Sequence, residues 1–168
     1  FTDGDPIVTP AFDIDGSKSS FSTSELNRII GIWQRVAEDY IPFDVDVTTE
    51  DPGVEALRRS NSGDANYGVR VVIGGSWSDW YHPAGGVAYL NSFDDNVDIP
   101  CFVFEDDVGN GNEKFTAEAA SHEAGHTLGL SHDGTTTGDE YYDGHGTGAT
   151  SWGPIMGVSY DIQVSQWS

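Results

Sequence analysis

The sequence predicts an α+β fold: an upper lobe of five short strands and two long helices, followed by a smaller irregular lobe. Three observations carry this reading. Two windows, about 24–40 and 113–128, have helical character, one by apolar spacing and one by helix-forming composition. Five short segments rich in apolar residues lie before the second of them and read as strands. From Leu130 onward the chain is rich in Gly, Thr and Asp with little periodicity.

The first strand is expected within residues 7–14, as Ile7-Val8 and Phe12-Asp13-Ile14 interrupted at Pro10, with a turn at Asp15-Gly16-Ser17. The first helix follows from about Ser24 to Tyr40. Leu26, Ile29, Ile30, Trp33, Val36, Ala37 and Tyr40 recur at three- and four-residue steps. Ser22 or Ser24 can cap its start, and Pro42 forces the chain out of it. Phe43-Asp44-Val45-Asp46-Val47 alternates as a half-buried strand does. Residues 51–66 read as a short helical turn and a polar loop. Further strands are expected at 67–73, 86–90 and 99–105, the last apolar enough to be buried on both faces. Ala117, Ala119, Ala120, Ala124 and Leu128 suit the second helix, and Gly129 stands where a helix-ending glycine would. Residues 161–167 read as the start of a further helix. No repeat or linker divides the chain, so 1–168 is expected to be one domain, with lobes 1–129 and 130–168.

With 37% hydrophobic and 12% aromatic residues, the chain can build a core. A formal charge of −21, from 28 acidic against 7 basic residues, excludes nucleic acid and anionic membrane surfaces as partners. No run of 18 apolar residues exists to span a bilayer. Cys101 is the single cysteine and has no internal disulfide partner, and its apolar surroundings make it a buried small residue. The chain starts at Phe1 rather than Met, as a processed mature form or a trimmed chain does.

The chemistry concentrates in His122-Glu123-Ala124-Gly125-His126-Thr127-Leu128-Gly129-Leu130-Ser131-His132. Residues four apart share a helix face, so His122 and His126 can present two imidazoles to one metal. Glu123 then reaches a water on the metal rather than the metal itself. Gly129 permits a sharp left-handed turn that returns His132 as a third ligand. Three protein ligands leave a fourth position for water, the arrangement of a catalytic rather than a structural zinc site. Glu123 is thus the candidate general base, and one zinc the candidate cofactor.

This segment resembles the metzincin clan of zinc peptidases, whose extended motif is H-E-x-x-H-x-x-G-x-x-H followed by a Met-turn. Gly153-Pro154-Ile155-Met156-Gly157 offers the turn, and Met156 is the only methionine. The resemblance implies a twisted, mixed five-stranded sheet with two long helices, and a small lower lobe in which Met156 floors the metal site. It implies that Gly86, Val87, Ala88 and Tyr89 form an edge strand that pairs with an extended peptide. Asp133 resembles the adamalysin (reprolysin) branch, where an aspartate there hydrogen-bonds the Met-turn. Astacins and serralysins carry a tyrosine two residues after the methionine; here Val158 stands there, with Tyr160 two further on. The cysteines that staple adamalysins are absent, which leaves the branch open. The clan implies a secreted endopeptidase acting on proteins or peptides, and a monomer is expected.

Acidic loops at Asp94-Asp98, Asp106-Glu113 and Asp139-Asp143 offer oxygen ligands for a structural calcium, although none matches an EF-hand. His145 and His82 read as loop histidines, and most of the tryptophans and tyrosines as core. A non-catalytic extracellular binding module that retains the metal site is the competing reading. Glu123 separates the two, because a relic site has no need of its base.

Overall fold

The computed structural model describes residues 5–168, so the start at Phe1 lies outside the described residues. Helix α1 spans Thr23–Tyr40. Ser22 caps it: its Oγ accepts the Glu25 N–H at 3.3 Å, and Glu25 Oε2 accepts the Ser22 N–H at 2.7 Å, a reciprocal capping box. The buried face runs through Glu25, Ile29, Ile32, Val36 and Tyr40, while Leu26 and Ile30 of the predicted stripe face water. The helix stops two residues before Pro42, as the sequence requires. A short 3₁₀ turn at Val54–Leu57 and a polar loop follow, also as expected.

The sheet has three strands among the described residues, β1 (Val71–Ile73), β2 (Gly86–Val87) and β3 (Cys101–Val103), in the order β1-β3-β2. β3 runs parallel to β1 and antiparallel to β2, so the sheet is mixed. Central β3 is buried on both faces. Val103 faces the helices with Ala119, Ala120 and Val36. Phe102, with Phe104 just beyond, packs on the opposite side against Val87 and Trp80. Helix α2 (Glu113–Thr127) lies across the helix side of the sheet and against α1. Cys101 is wholly buried, and burial pushes its thiol well above the usual range.

Three expectations are corrected. Residues 7–14 and 43–47 form no strand, so the five-stranded sheet is not found. Phe43 and Val45 alternate with aspartates, but both are largely exposed and no neighbouring strand receives them. The strand at 86–90 ends at Val87, because Asn91 turns through φ 60° and its N–H caps the His126 carbonyl at 2.9 Å. The C-terminal segment is no helix either: β5 (Val164–Gln166) pairs in parallel with β4 (Trp152–Pro154). Trp167 then packs edge-on against Tyr40 at 5.2 Å and donates its indole N–H to the Asp39 carbonyl at 2.8 Å. The irregular lobe is thereby tied back to the end of α1.

Candidate active site

Helix α2 carries His122, Glu123 and His126 on its last turns. Its end is a Schellman motif. The Gly129 N–H donates to His126 O at 2.9 Å and the Leu130 N–H to Gly125 O at 3.1 Å, with Gly129 at φ 91°. Glycine adopts that conformation without strain. The reversal brings His132 back over the helix, and the three imidazoles form a triangle with ring centres 4.7, 4.7 and 5.2 Å apart.

Each ring is anchored through Nδ1: His122 to Ile155 O at 2.8 Å, His126 to Leu130 O at 2.8 Å, and His132 to Glu140 Oε1 at 2.9 Å. That leaves every Nε2 pointing inward, with those of His126 and His132 3.0 Å apart. Ring nitrogens from all three lie within 4.8 Å of one another. Zinc–imidazole bonds of about 2.0–2.1 Å place tetrahedral nitrogens about 3.3 Å apart, so the set fits zinc with modest adjustment. Burial pushes His122 down to about 4 and lowers His126 as well, which keeps both in the neutral form a metal needs.

Glu123 follows His122 on α2, is almost fully buried, and its Oε2 has no hydrogen-bond partner. Burial pushes its carboxyl up to about 8. Gly86 makes room for it: a Cβ there would stand 2.6 Å from Glu123 Oε1 and 2.7 Å from Phe102 O. Gly86 and Val87, at the sheet edge, therefore run past the carboxylate, whereas Ala88 and Tyr89 have left the ladder.

Met156 is buried in a tight turn in which the Gly157 N–H donates to Pro154 O at 3.0 Å. Its sulfur crosses Gly125, where a Cβ would come within 2.6 Å of Sδ. Asp133 contacts this turn through its backbone N–H, which donates to Met156 O at 2.9 Å; its carboxylate instead accepts the Ser168 hydroxyl at 2.8 Å. The residue after the third histidine thus bonds the turn at Met156 through its backbone.

Two residues at the site escaped the sequence reading. Glu140 orients His132, and Tyr141 stacks beside His132 with ring centres 4.2 Å apart. Neither has a spacing signal, because an irregular loop delivers both. Both line an open cavity of about 560 Å³, together with Thr135 and Val158. Tyr160 packs on Phe115 at 5.2 Å, and burial with the Glu123 and Glu118 carboxylates nearby pushes its phenol up to about 12. His145 bonds the Tyr142 hydroxyl at 2.8 Å and His82 stacks on Tyr81; neither joins the triangle. Among the described residues, none of the three acidic loops proposed for calcium gathers into a metal-binding group.

No curated protein and no solved structure matches the chain. The family of M12B metallopeptidases described as reprolysin-like matches residues 35–133, more than half of the chain, from α1 through the third histidine. That span contains the helix, the glycine turn and all three imidazoles. The chain therefore belongs to the reprolysin-like metallopeptidases of family M12B.

Proposed function

We propose that the chain is a secreted, monomeric zinc endopeptidase forming one catalytic domain, its lobes parted after Gly129. His122, His126 and His132 would hold the metal. The observation that carries the reading is the cluster of three Nδ1-anchored imidazoles at the end of α2, with a buried carboxylate oxygen without a partner on Glu123, the residue that follows His122. A bound zinc supplies a water of lowered pKa and polarises the scissile carbonyl. Glu123 takes the proton of that attacking water on its unpartnered oxygen and passes it to the departing amine. The Gly86–Val87 edge offers backbone groups to align an extended peptide past Glu123. Tyr141 and the loop beyond it supply a wall for a substrate side chain, and Met156 floors the site beneath Gly125.

The test is hydrolysis of unfolded casein, with zinc content measured before chelation, after chelation and after zinc is restored. Cleavage that is lost and regained with about one zinc per chain supports the reading. Stable zinc binding with no cleavage of casein or of a mixed peptide library would leave a binding module in its place.

A further inference from the structure

A second group of carboxylates converges where residues 12–17 meet the start of α1. One oxygen each from Asp13, Asp15 and Glu25 lie within 4.8 Å of one another. Local bonds account for part of this. Glu25 accepts the N–H of Ser22 at 2.7 Å and of Ile14 at 3.0 Å, while Asp13 Oδ1 accepts the N–H groups of Asp15, Gly16 and Ser17. Such bonds form in turns and caps without any ligand.

Glu105 is not accounted for in that way. It stands just after β3, is 1% exposed, and its Oε2 has no partner. Its carboxyl takes the Asp13 N–H and feels the Asp13 carboxylate as a like charge. Burial pushes it up to about 7. The loop beyond Glu105 is clamped onto the same segment: the Gly111 N–H donates to Glu105 O at 3.2 Å, and Ile14 fills the space a side chain at 111 would need. Arg28, one turn beyond Glu25, holds that loop through Gly111 O at 2.6 Å. Three chain segments thus gather the Asp13, Asp15 and Glu25 carboxylates and set the Glu105 carboxyl against Asp13, with Glu25 and Glu105 wholly buried. Asp13 is partly open and Asp15 exposed, which leaves a path from solvent.

We propose that Asp13, Asp15, Glu25 and Glu105 form a structural calcium site, built from none of the residues of the histidine site. An all-oxygen set without imidazole or thiolate selects a hard cation. Calcium accepts six to eight oxygens in flexible geometry, with water completing the shell, whereas magnesium demands a regular octahedron. The ion joins the segment before α1, the helix start and the exit of central β3, so its effect falls on stability.

The test uses zinc-loaded protein freed of calcium, with zinc content followed throughout so that the two metals are read separately. Calcium at millimolar concentration raises the wild-type Tm by about 5 °C or more, and calorimetric titration finds one ion per chain. Glu105→Gln removes a buried charge at constant shape. It melts above the wild type in calcium-free buffer and loses the calcium response. Asp15→Asn, at an exposed position, keeps the calcium-free Tm and weakens the response at least several-fold. An unchanged wild-type Tm, an equal shift in wild type and Glu105→Gln, or a magnesium shift matching that of calcium overturns the proposal.

Discussion

His132 is the one member of the triangle whose ring is oriented by a side chain. The backbone carbonyls of Ile155 and Leu130 anchor the other two and survive any substitution at those positions. Glu140 is more exposed than buried, so its bond to His132 is worth less than a buried one. Carboxylates behind metal-bound histidines contribute about 10–100-fold in metal affinity. Glu140→Gln should therefore weaken zinc binding by about tenfold, measured by competition with a chromophoric chelator, and leave the zinc-saturated rate nearly unchanged. Gly86 acts at the same scale. In Gly86→Ala the new methyl group must displace the Glu123 carboxylate or the Phe102 carbonyl. Misplacing a catalytic group by about 1 Å can cost about 100-fold, so kcat/KM should fall by that order with zinc content intact. A Gly86→Ala enzyme of wild-type activity would show that Glu123 does not depend on this approach.

At the scale of the elements, α2 is a frame that must be thin on one side. Gly125 is a poor helix former, and alanine there would gain about 1 kcal/mol from propensity alone. The structure gives the opposite sign: the added Cβ would drive into Met156 Sδ and the Trp167 ring. Overpacking of that kind costs about 1–3 kcal/mol. Gly125→Ala should be less stable to urea and bind zinc more weakly, whereas a surface glycine in a helix would become more stable on the same change. Both helices were legible in the sequence, because capping residues, apolar spacing and Gly129 are local signals. The histidine site was legible for the same reason, since one helix and one turn assemble it. Strand pairing was not. Phe43 to Val47 alternates but meets no partner, and Val164 to Gln166 has little pattern of its own yet pairs with Trp152 to Pro154. Sheet membership depends on what lies alongside, and no window of sequence contains that. Glu140, Tyr141 and Glu105 were missed likewise, because each acts across a loop.

Across the whole molecule, the end of the chain holds the two helices together. Trp167 bonds the Asp39 carbonyl, and the Asp39 carboxylate accepts the Ser121 hydroxyl at 2.6 Å, linking α1 to α2. Glu118 on α2 accepts the hydroxyls of Ser159 and Ser165 and pairs with Lys114, which fastens the lower lobe to the same helix. Burial pushes Asp39 up to about 6 from the ordinary 3.8, outweighing the Ser121 bond. The folded state therefore holds this proton more tightly than the unfolded chain does. The resulting stabilisation is complete below about pH 4 and is lost as pH rises through about 6. Asp39→Asn cannot ionise, so its stability relative to wild type should rise over that window. The gain is about 1–2 kcal/mol after allowance for the carboxylate's partial contact with water. Urea unfolding of both proteins at pH 4 and pH 7 measures it, and a difference that stays flat between the two pH values contradicts the assignment.

In the proposed mechanism, Glu123 works on a water beside three histidines that hold zinc without its help. That role is tested most directly by comparing wild type and Glu123→Ala for zinc content and for casein cleavage on the same preparations. Both should retain about one zinc per chain, and the variant should lose at least about 1,000-fold in kcat/KM. A variant that keeps its zinc and cleaves casein at the wild-type rate would contradict that role.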